Sequence, residues 1–261
     1  MKTTNGKKEP LLKRLVRHLS EPIRLLSRTR YDLIVPMGRA CSCTQTLRRA
    51  GLQHLSLPMD WIVRPRDSGP DIRLRADSIC DGFHRRFVPE DFEPIETLPI
   101  HAHNRYRNNA TGVLYLHDFP KDVPFAEAFP KVKEKYERRY ARLLRLIGES
   151  RRVLLVLVDR PDVHFATPDE DCRYARRRIQ ERFPHARFDF VHFSYAPDLP
   201  YWNLRERTTD GFTDVAFDYR DHTPGKMLDS VDLNLSARYM RTRFAVRDYR
   251  SKEELARHAE R

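Results

Sequence analysis

Apolar positions recur along the chain with two different periods. Residues 153–158 form a continuous apolar run of strand length, residues 31–37 form a nearly continuous one, and residues 187–195 alternate in the two-residue period of a strand. Residues 125–149 carry an apolar stripe at every third or fourth position, which predicts a long amphipathic helix. Strands that are apolar on both faces need cover on both faces, as in the parallel sheets of α/β proteins.

Shorter segments complete the predicted order of elements. We predict an extended apolar stretch at residues 54–62, strands at 111–119 and 213–219, and helices at 41–50, 72–82, 169–182 and 224–235. Residues 88–111 show no periodicity. The alternation of strands and helices predicts a single α/β domain over residues 29–261, with a mainly parallel sheet and helices on both faces. This sheet is expected to contain residues 31–37, 112–117 and, centrally, 153–158.

Much of the net charge of +12 lies near the N-terminus. Residues 1–30 hold nine Lys/Arg and two acidic residues. Within them, residues 11–19 place apolar side chains on one helical face and basic ones opposite, which predicts a short amphipathic helix that ends near Pro22. We interpret residues 1–28 as a basic arm, whose charge suits weak contacts with anionic lipid or nucleic acid.

Composition excludes several classes of protein. Four cysteines in 261 residues are too few for a disulfide-rich secreted fold, and no Cys-x-x-Cys pair is present. The longest aliphatic run, residues 153–158, is far shorter than a membrane-spanning helix. His101 and His103 lack a further ligand motif, so we predict no metal site and no cofactor. We expect a soluble cytoplasmic protein without a transmembrane segment.

The segment from Gly38 to Cys41 predicts a reactive cysteine. A strand there leads through a glycine-containing turn into a helix that the cysteine opens. Amide groups and partial positive charge at a helix N-terminus stabilise a thiolate, and the same amides can bind an oxyanion. Cys41 is therefore the candidate nucleophile, the alternative being a small packed side chain at a tight turn. Cys43 lies on a different face of this helix, where packing is the simpler interpretation.

A cysteine nucleophile needs a base, and His117 is the favoured one among 11 histidines. It closes the apolar strand residues 113–116, so we expect it at a carboxyl edge, where sites collect. Asp118 can orient its imidazole only if the strand has ended, because neighbours in a strand point to opposite faces. Asp60 is the other candidate carboxylate. The alternative for His117 is a hydrogen-bonded structural residue.

Several short motifs together resemble a bacterial family of unknown function, described as "putative papain-like cysteine peptidases". The motifs are Tyr31-Asp-Leu-Ile-Val35, Gly38-x-x-Cys41, Leu47-Arg48, Leu57-Pro-Met-Asp-Trp61, His117-Asp-Phe119, Lys135-Tyr-Glu-Arg-Arg139 and Val153-Leu-Leu-Val156, within about residues 31–195. The resemblance implies that Cys41 and His117 occupy the family's proposed catalytic positions, with a papain-like α+β fold as the alternative architecture. Two departures are Met59, where the family has phenylalanine, and Gln45, a candidate oxyanion donor that follows the cysteine instead of preceding it.

Two functions of different classes follow. The first is a cysteine-dependent hydrolase or acyl-transfer enzyme, a papain-like peptidase by resemblance, acting on a peptide, glycan or small-molecule substrate. The second is a non-catalytic α/β protein whose cleft binds an anionic small molecule or glycan, since Arg39 beside a helix N-terminus suits phosphate or carboxylate. In both cases Gly38, Arg39, Gln45 and Trp61 are the candidate ligand-binding residues.

Overall fold

The computed structural model describes seven stretches of the chain. These are residues 28–38, 41–65, 71–82, 87–159, 167–200, 203–218 and 233–247. The predicted basic arm lies outside them except for Arg28, and so do Arg39 and most of the predicted helix at residues 224–235.

The described stretches contain five α-helices and eleven strands. The helices are α1 (Cys41–Arg49), α2 (Asp71–Asp81), α3 (Phe125–Gly148), α4 (Asp169–Arg182) and α5 (Leu233–Arg243). The strands are β1 (Thr29–Tyr31), β2 (Leu33–Pro36), β3 (Ile62–Val63), β4 (Phe92–Ile95), β5 (His103–Asn108), β6 (Val113–Pro120), β7 (Arg152–Val158), β8 (Arg187–Tyr195), β9 (Arg205–Thr209), β10 (Phe212–Phe217) and β11 (Phe244–Val246). A short 3-10 helix, Pro89–Asp91, precedes β4.

Five strands form the main sheet in the order β2-β7-β8-β10-β9. The first four run parallel, and β9 is antiparallel to β10 at the edge. The strand β7 lies between β2 and β8, and its residues 153–158 are all buried. This placement confirms that the unbroken apolar run belongs to an interior parallel strand. Strands β1 and β11 form a separate parallel pair.

Helices cover both faces of the main sheet, as predicted. On one face Val156 packs in a cluster with Leu47 of α1. On the other face Leu155 packs in a second cluster with Leu143 of α3 and Ile179 of α4. The two clusters follow from the period of a strand, which sends neighbouring apolar side chains to opposite faces.

The prediction of one mainly parallel sheet is wrong for residues 112–117. Residues 113–117 belong to β6, which lies in a separate antiparallel sheet with the order β3-β6-β5-β4. The first residues of β6 alternate between buried and partly exposed, as in an antiparallel strand with one face on the core. Its partner β5 is mostly polar, which explains why residues 88–111 showed no apolar period. The fold therefore combines an α/β layer structure with an added antiparallel sheet.

Other boundaries also differ from the predicted ones. The stretch at residues 54–62 is irregular until β3 begins, and α5 starts near the end of the helix predicted at 224–235. The edge strand β9 was not predicted, because all five of its residues are exposed and carry no apolar signal. Among the described helices, none has the length and apolarity needed to cross a membrane.

Candidate functional site

The turn after β2 presents Cys41 at the carboxyl edge of the main sheet. The amide of Met37 still donates to the carbonyl of Val156 at 2.7 Å, and the carbonyl of Gly38 accepts from the amide of Val158 at 2.9 Å. Gly38 has φ +111°, a conformation that favours glycine. The helix α1 then begins at Cys41, which is partly exposed. The predicted strand before Gly38 and the helix that begins at Cys41 are therefore confirmed, whereas residues 39–40 between them lie outside the described residues.

The buried guanidinium of Arg75 lies next to Gly38. Arg75 of α2 is only 1% exposed, and its Nε donates to both carboxylate oxygens of Asp71 at 2.9 Å. Its two terminal nitrogens donate to the carbonyls of Met59 at 3.3 Å and Ile62 at 3.2 Å. A Cβ built on Gly38 would lie 2.9 Å from the guanidinium carbon. Arg75 thus joins α2, the segment around residue 60 and the turn before Cys41.

The other three cysteines are poor candidates for a thiolate. Cys43 is fully buried, its thiol donates to the carbonyl of Val156, and burial raises its pKa to about 12. Burial likewise raises the pKa of Cys80 to about 11, and burial together with nearby carboxylates raises that of Cys172. None of the four cysteines forms a disulfide. Cys41 is left as the cysteine that combines partial exposure with a helix N-terminus.

An irregularity in β6 turns His117 outward. The register of β6 against β5 shifts by two residues between Tyr115 and Phe119. Both of these aromatic side chains are buried, and the two-residue period would bury His117 with them. Instead His117 is exposed and Asp118 is buried. Bulges of this kind redirect side chains and are frequent beside active sites.

Asp118 is held by α3. One carboxylate oxygen accepts from Nζ of Lys135 at 2.6 Å, and the other accepts from the hydroxyl of Tyr136 at 3.0 Å. These hydrogen bonds direct the carboxylate toward the helix, so its effect on His117 is exerted through its charge. Asp118 was expected to orient the imidazole only if the strand ended before it. Because β6 continues to Pro120, that prediction is wrong.

Asp60 shapes the turn that precedes Trp61. Its side chain is fully buried and accepts from Nε2 of Gln53 at 2.9 and 3.0 Å and from the amide of Leu57 at 2.9 Å. Burial raises its pKa, against these hydrogen bonds. The contacts give Asp60 a structural task at this turn.

Trp61 lies between α1 and His117. Its ring centre is 6.3 Å from that of His117 in an edge-to-face arrangement, and the guanidinium of Arg48 lies 5.3 Å from the Trp61 ring. Cys41, Gln45 and Arg48 follow one another at helical spacing, so they share one face of α1. Helical side chains lean toward the N-terminus, which brings Arg48 toward the level of Gln45. The indole therefore lies between Arg48 of α1 and His117 of β6.

Partial burial and charged neighbours of both signs set the pKa of His117. Partial burial lowers its pKa, and the neighbouring His103 and Arg105 lower it further, against the opposing charge of Asp118. The rings of His103 and His117 are 6.4 Å apart. The net effect favours a neutral imidazole.

Part of the chain matches a known family model. Residues 32–159 match the family described as "putative papain-like cysteine peptidase". This stretch runs from the start of β2 to the end of β7, contains Cys41, Asp60 and His117, and makes up just under half of the chain. It ends well before residue 195, to which the sequence motifs extended. No curated protein and no solved structure matches the chain.

The structure adds residues that the sequence analysis did not single out. Arg75 belongs to the helix predicted at residues 72–82, and Lys135 and Arg139 appeared only within a motif. The spacing of Asp71 and Arg75 was a usable signal, because an acid four residues before an arginine on one helix face predicts an ion pair. No sequence signal predicted that Arg75 would be buried.

Proposed function

We propose that this protein is a thiol-dependent hydrolase or acyl-transfer enzyme, with Cys41 as nucleophile and His117 as general base. The observation that carries the proposal is the pair of local distortions at the two residues. Gly38 has a positive φ between β2 and α1, and a bulge turns His117 out of the core beside Trp61. Each distortion departs from regular structure, and such departures cluster at functional sites.

The reaction follows from the two groups. His117, whose lowered pKa leaves it neutral near pH 7, takes the proton of the Cys41 thiol as the sulfur bonds to the carbonyl carbon. Amides at the N-terminus of α1 donate to the oxyanion. The bond to the leaving group breaks as His117 returns the proton to it. Water, deprotonated by His117, then attacks the thioester, which releases the acid and restores the thiol.

The charges around Trp61 and His117 favour an acidic substrate. Arg48 and Arg105 lie near the two rings. The buried carboxylate of Asp60 lies 3.8 Å from Arg48, and that of Asp118 is paired with Lys135, so Arg105 is the cation without a carboxylate in these pairs. An acyl group or leaving group with a carboxylate or phosphate would meet these cations. The cytoplasmic location expected from the sequence is part of the proposal, because a reducing compartment keeps the Cys41 thiol reduced.

A second candidate function is binding of an anionic small molecule or glycan without catalysis. The observation that favours it is Arg139, whose buried Nη1 has no hydrogen-bond partner among the described residues. A bound phosphate or carboxylate would supply that acceptor. In this case Cys41 has no chemical role, and only ligand affinity depends on the cations.

Formation of an acyl-enzyme separates the two functions. The protein is incubated with the p-nitrophenyl esters of acetate and of succinate, and intact mass and peptide mapping locate the adduct. We expect a thioester on Cys41 that forms faster from the succinyl ester, is absent in Cys41→Ala, and is retained in the control variant Cys80→Ala. An adduct distributed over several cysteines, or no adduct with either ester, would contradict the catalytic proposal.

A further inference from the structure

A second cluster of polar side chains lies on the main sheet and includes none of the residues proposed for catalysis. His192 of β8 is in register with Leu157 of β7 and with Asp214 of β10. Its side chain is 1% exposed. Burial of a histidine among three strands requires partners for both ring nitrogens.

One ring nitrogen has a firmly anchored partner. Nε2 of His192 lies 2.9 Å from Oδ2 of Asp159, the residue that follows β7. The carboxylate of Asp159 also accepts from the amide of Thr167 at 2.9 Å and from its hydroxyl at 2.6 Å. Because the carboxylate accepts a proton here, Nε2 carries the hydrogen, and Nδ1 of the neutral ring presents a lone pair.

The other ring nitrogen faces a carboxylate. Nδ1 of His192 lies 3.5 Å from Oδ1 of Asp214. Both atoms are buried, and neither has a hydrogen-bond partner among the described residues. Asp169 at the start of α4 completes the group, so that one ligand atom from each of the three residues lies within 4.8 Å of the others. A lone pair facing a carboxylate is repulsive unless a proton or a metal ion lies between them.

We propose that Asp169, His192 and Asp214 bind a divalent transition-metal ion, with Asp159 fixing the orientation of the imidazole. Ligands about 2.1 Å from a tetrahedral ion are about 3.4 Å apart, which agrees with the separation of Nδ1 and Oδ1. A metal-bound histidine generally donates its other N–H to a carboxylate, as His192 does to Asp159. One imidazole with two carboxylates suits Zn²⁺ or Mn²⁺ and does not suit Ca²⁺, which prefers oxygen ligands alone.

Two features of the cluster compete with a metal ion. The first is a proton: burial opposes the charged imidazole, but Asp159, Asp214 and Asp169 outweigh burial and raise the pKa of His192. The second is Arg207, whose guanidinium donates to one oxygen of Asp169 at 2.7 Å. A metal ion and this guanidinium would share the carboxylate of Asp169. If a proton or Arg207 alone neutralises the cluster, no divalent ion binds, whereas a metal site binds one such ion per chain.

The position of the cluster suggests a link to the candidate catalytic residues. Residue 38 is level with residue 158 at the carboxyl edge of the main sheet, and Asp159 directly follows. The strands β2 and β8 are two spacings apart, or about 10 Å. The metal site therefore lies near the same edge as Cys41, where parallel sheets collect ligands. The proposal stands without the catalytic one, because the two sets of residues do not overlap.

The test is direct metal binding by the full chain, freed of any purification tag and treated with a chelator. Titration with Zn²⁺ and with Mn²⁺, followed by calorimetry and elemental analysis, should give one bound ion for each chain and a higher Tm. We expect Asp214→Asn and Asp169→Asn to weaken the affinity by about tenfold or more. The matched control is Glu170→Gln on α4, whose side chain is exposed and which should keep the wild-type affinity.

Three outcomes would overturn the proposal. They are no binding of either ion, binding that Asp214→Asn and Glu170→Gln leave equally strong, and a Co²⁺ derivative with the near-ultraviolet charge-transfer bands of thiolate ligands. Circular dichroism of each variant checks that it is folded. We expect both amide variants to fold, because the side chain of Asp214 is 15% exposed and that of Asp169 is 37% exposed.

Discussion

Replacing Arg75 with methionine should destabilise the protein by about 3–5 kcal/mol, because it leaves a buried carboxylate without its cation. Asp71 is 7% exposed, and both of its oxygens accept from Nε of Arg75. The carbonyls of Met59 and Ile62 lose their donors as well. Individual hydrogen bonds from a charged donor contribute about 1.5–3 kcal/mol, but these contributions share one group and do not add.

Urea unfolding followed by circular dichroism measures this loss. The control is Arg145→Met, which removes the exposed pair of Arg145 and Glu149 at the same four-residue spacing and should cost well under about 1 kcal/mol. In Asp71→Leu/Arg75→Met the buried charge is gone, so this double variant should be more stable than Arg75→Met alone. A loss in Arg75→Met no larger than in the control would refute the view that Arg75 holds the turn before Cys41.

Two further predictions concern the residues around the candidate site. Gly38→Ala should lower the free energy of unfolding by about 1–3 kcal/mol, because φ is +111° and the new methyl group meets the guanidinium of Arg75. The control is Gly148→Ala in α3, which has open space at its Cβ and should be neutral or stabilising. Thermal unfolding of both variants measures the difference. The pKa of His117 in the folded protein should lie below the ordinary value of about 6.5 in an NMR titration, and Arg105→Gln should raise it by removing a nearby cation. Because the folded pKa is below the unfolded one, His117 should contribute stability above about pH 6.5 that is lost as the pH falls. A titration midpoint above the ordinary value would contradict both the sign of this dependence and the neutral base.

The sequence was most informative where local signals determine structure. The run at residues 153–158 is long enough and apolar enough to be an interior strand, and α4 begins and ends where its helical pattern predicted. The turn at Gly38 and the helix that Cys41 opens follow from one glycine and a change of period. In these cases the residues that fix the structure are neighbours in the chain.

Features that depend on distant residues could not be predicted. The alternation of Val113 and Tyr115 would bury His117, and only the irregular pairing with β5 explains its exposure. The assignment of β6 to the main sheet failed because its partner β5 carries few apolar residues. The sequence likewise predicted no metal site, since Asp169, His192 and Asp214 come from one helix and two strands and have no ligand spacing.

The central claim is that Cys41 and His117 act together, and the pH dependence of Cys41 alkylation tests it most directly. Iodoacetamide labelling of the folded protein, read by peptide mass mapping, ranks the four cysteines at each pH. We expect Cys41 to react about tenfold faster or more than Cys43, Cys80 and Cys172 near pH 7, since burial holds the other three as thiols. His117→Ala should slow the labelling of Cys41, whereas the control variant His54→Ala, at an exposed position, should not. Equal labelling of Cys41 and Cys80, or a Cys41 profile that is the same in wild type and His117→Ala, would contradict the account.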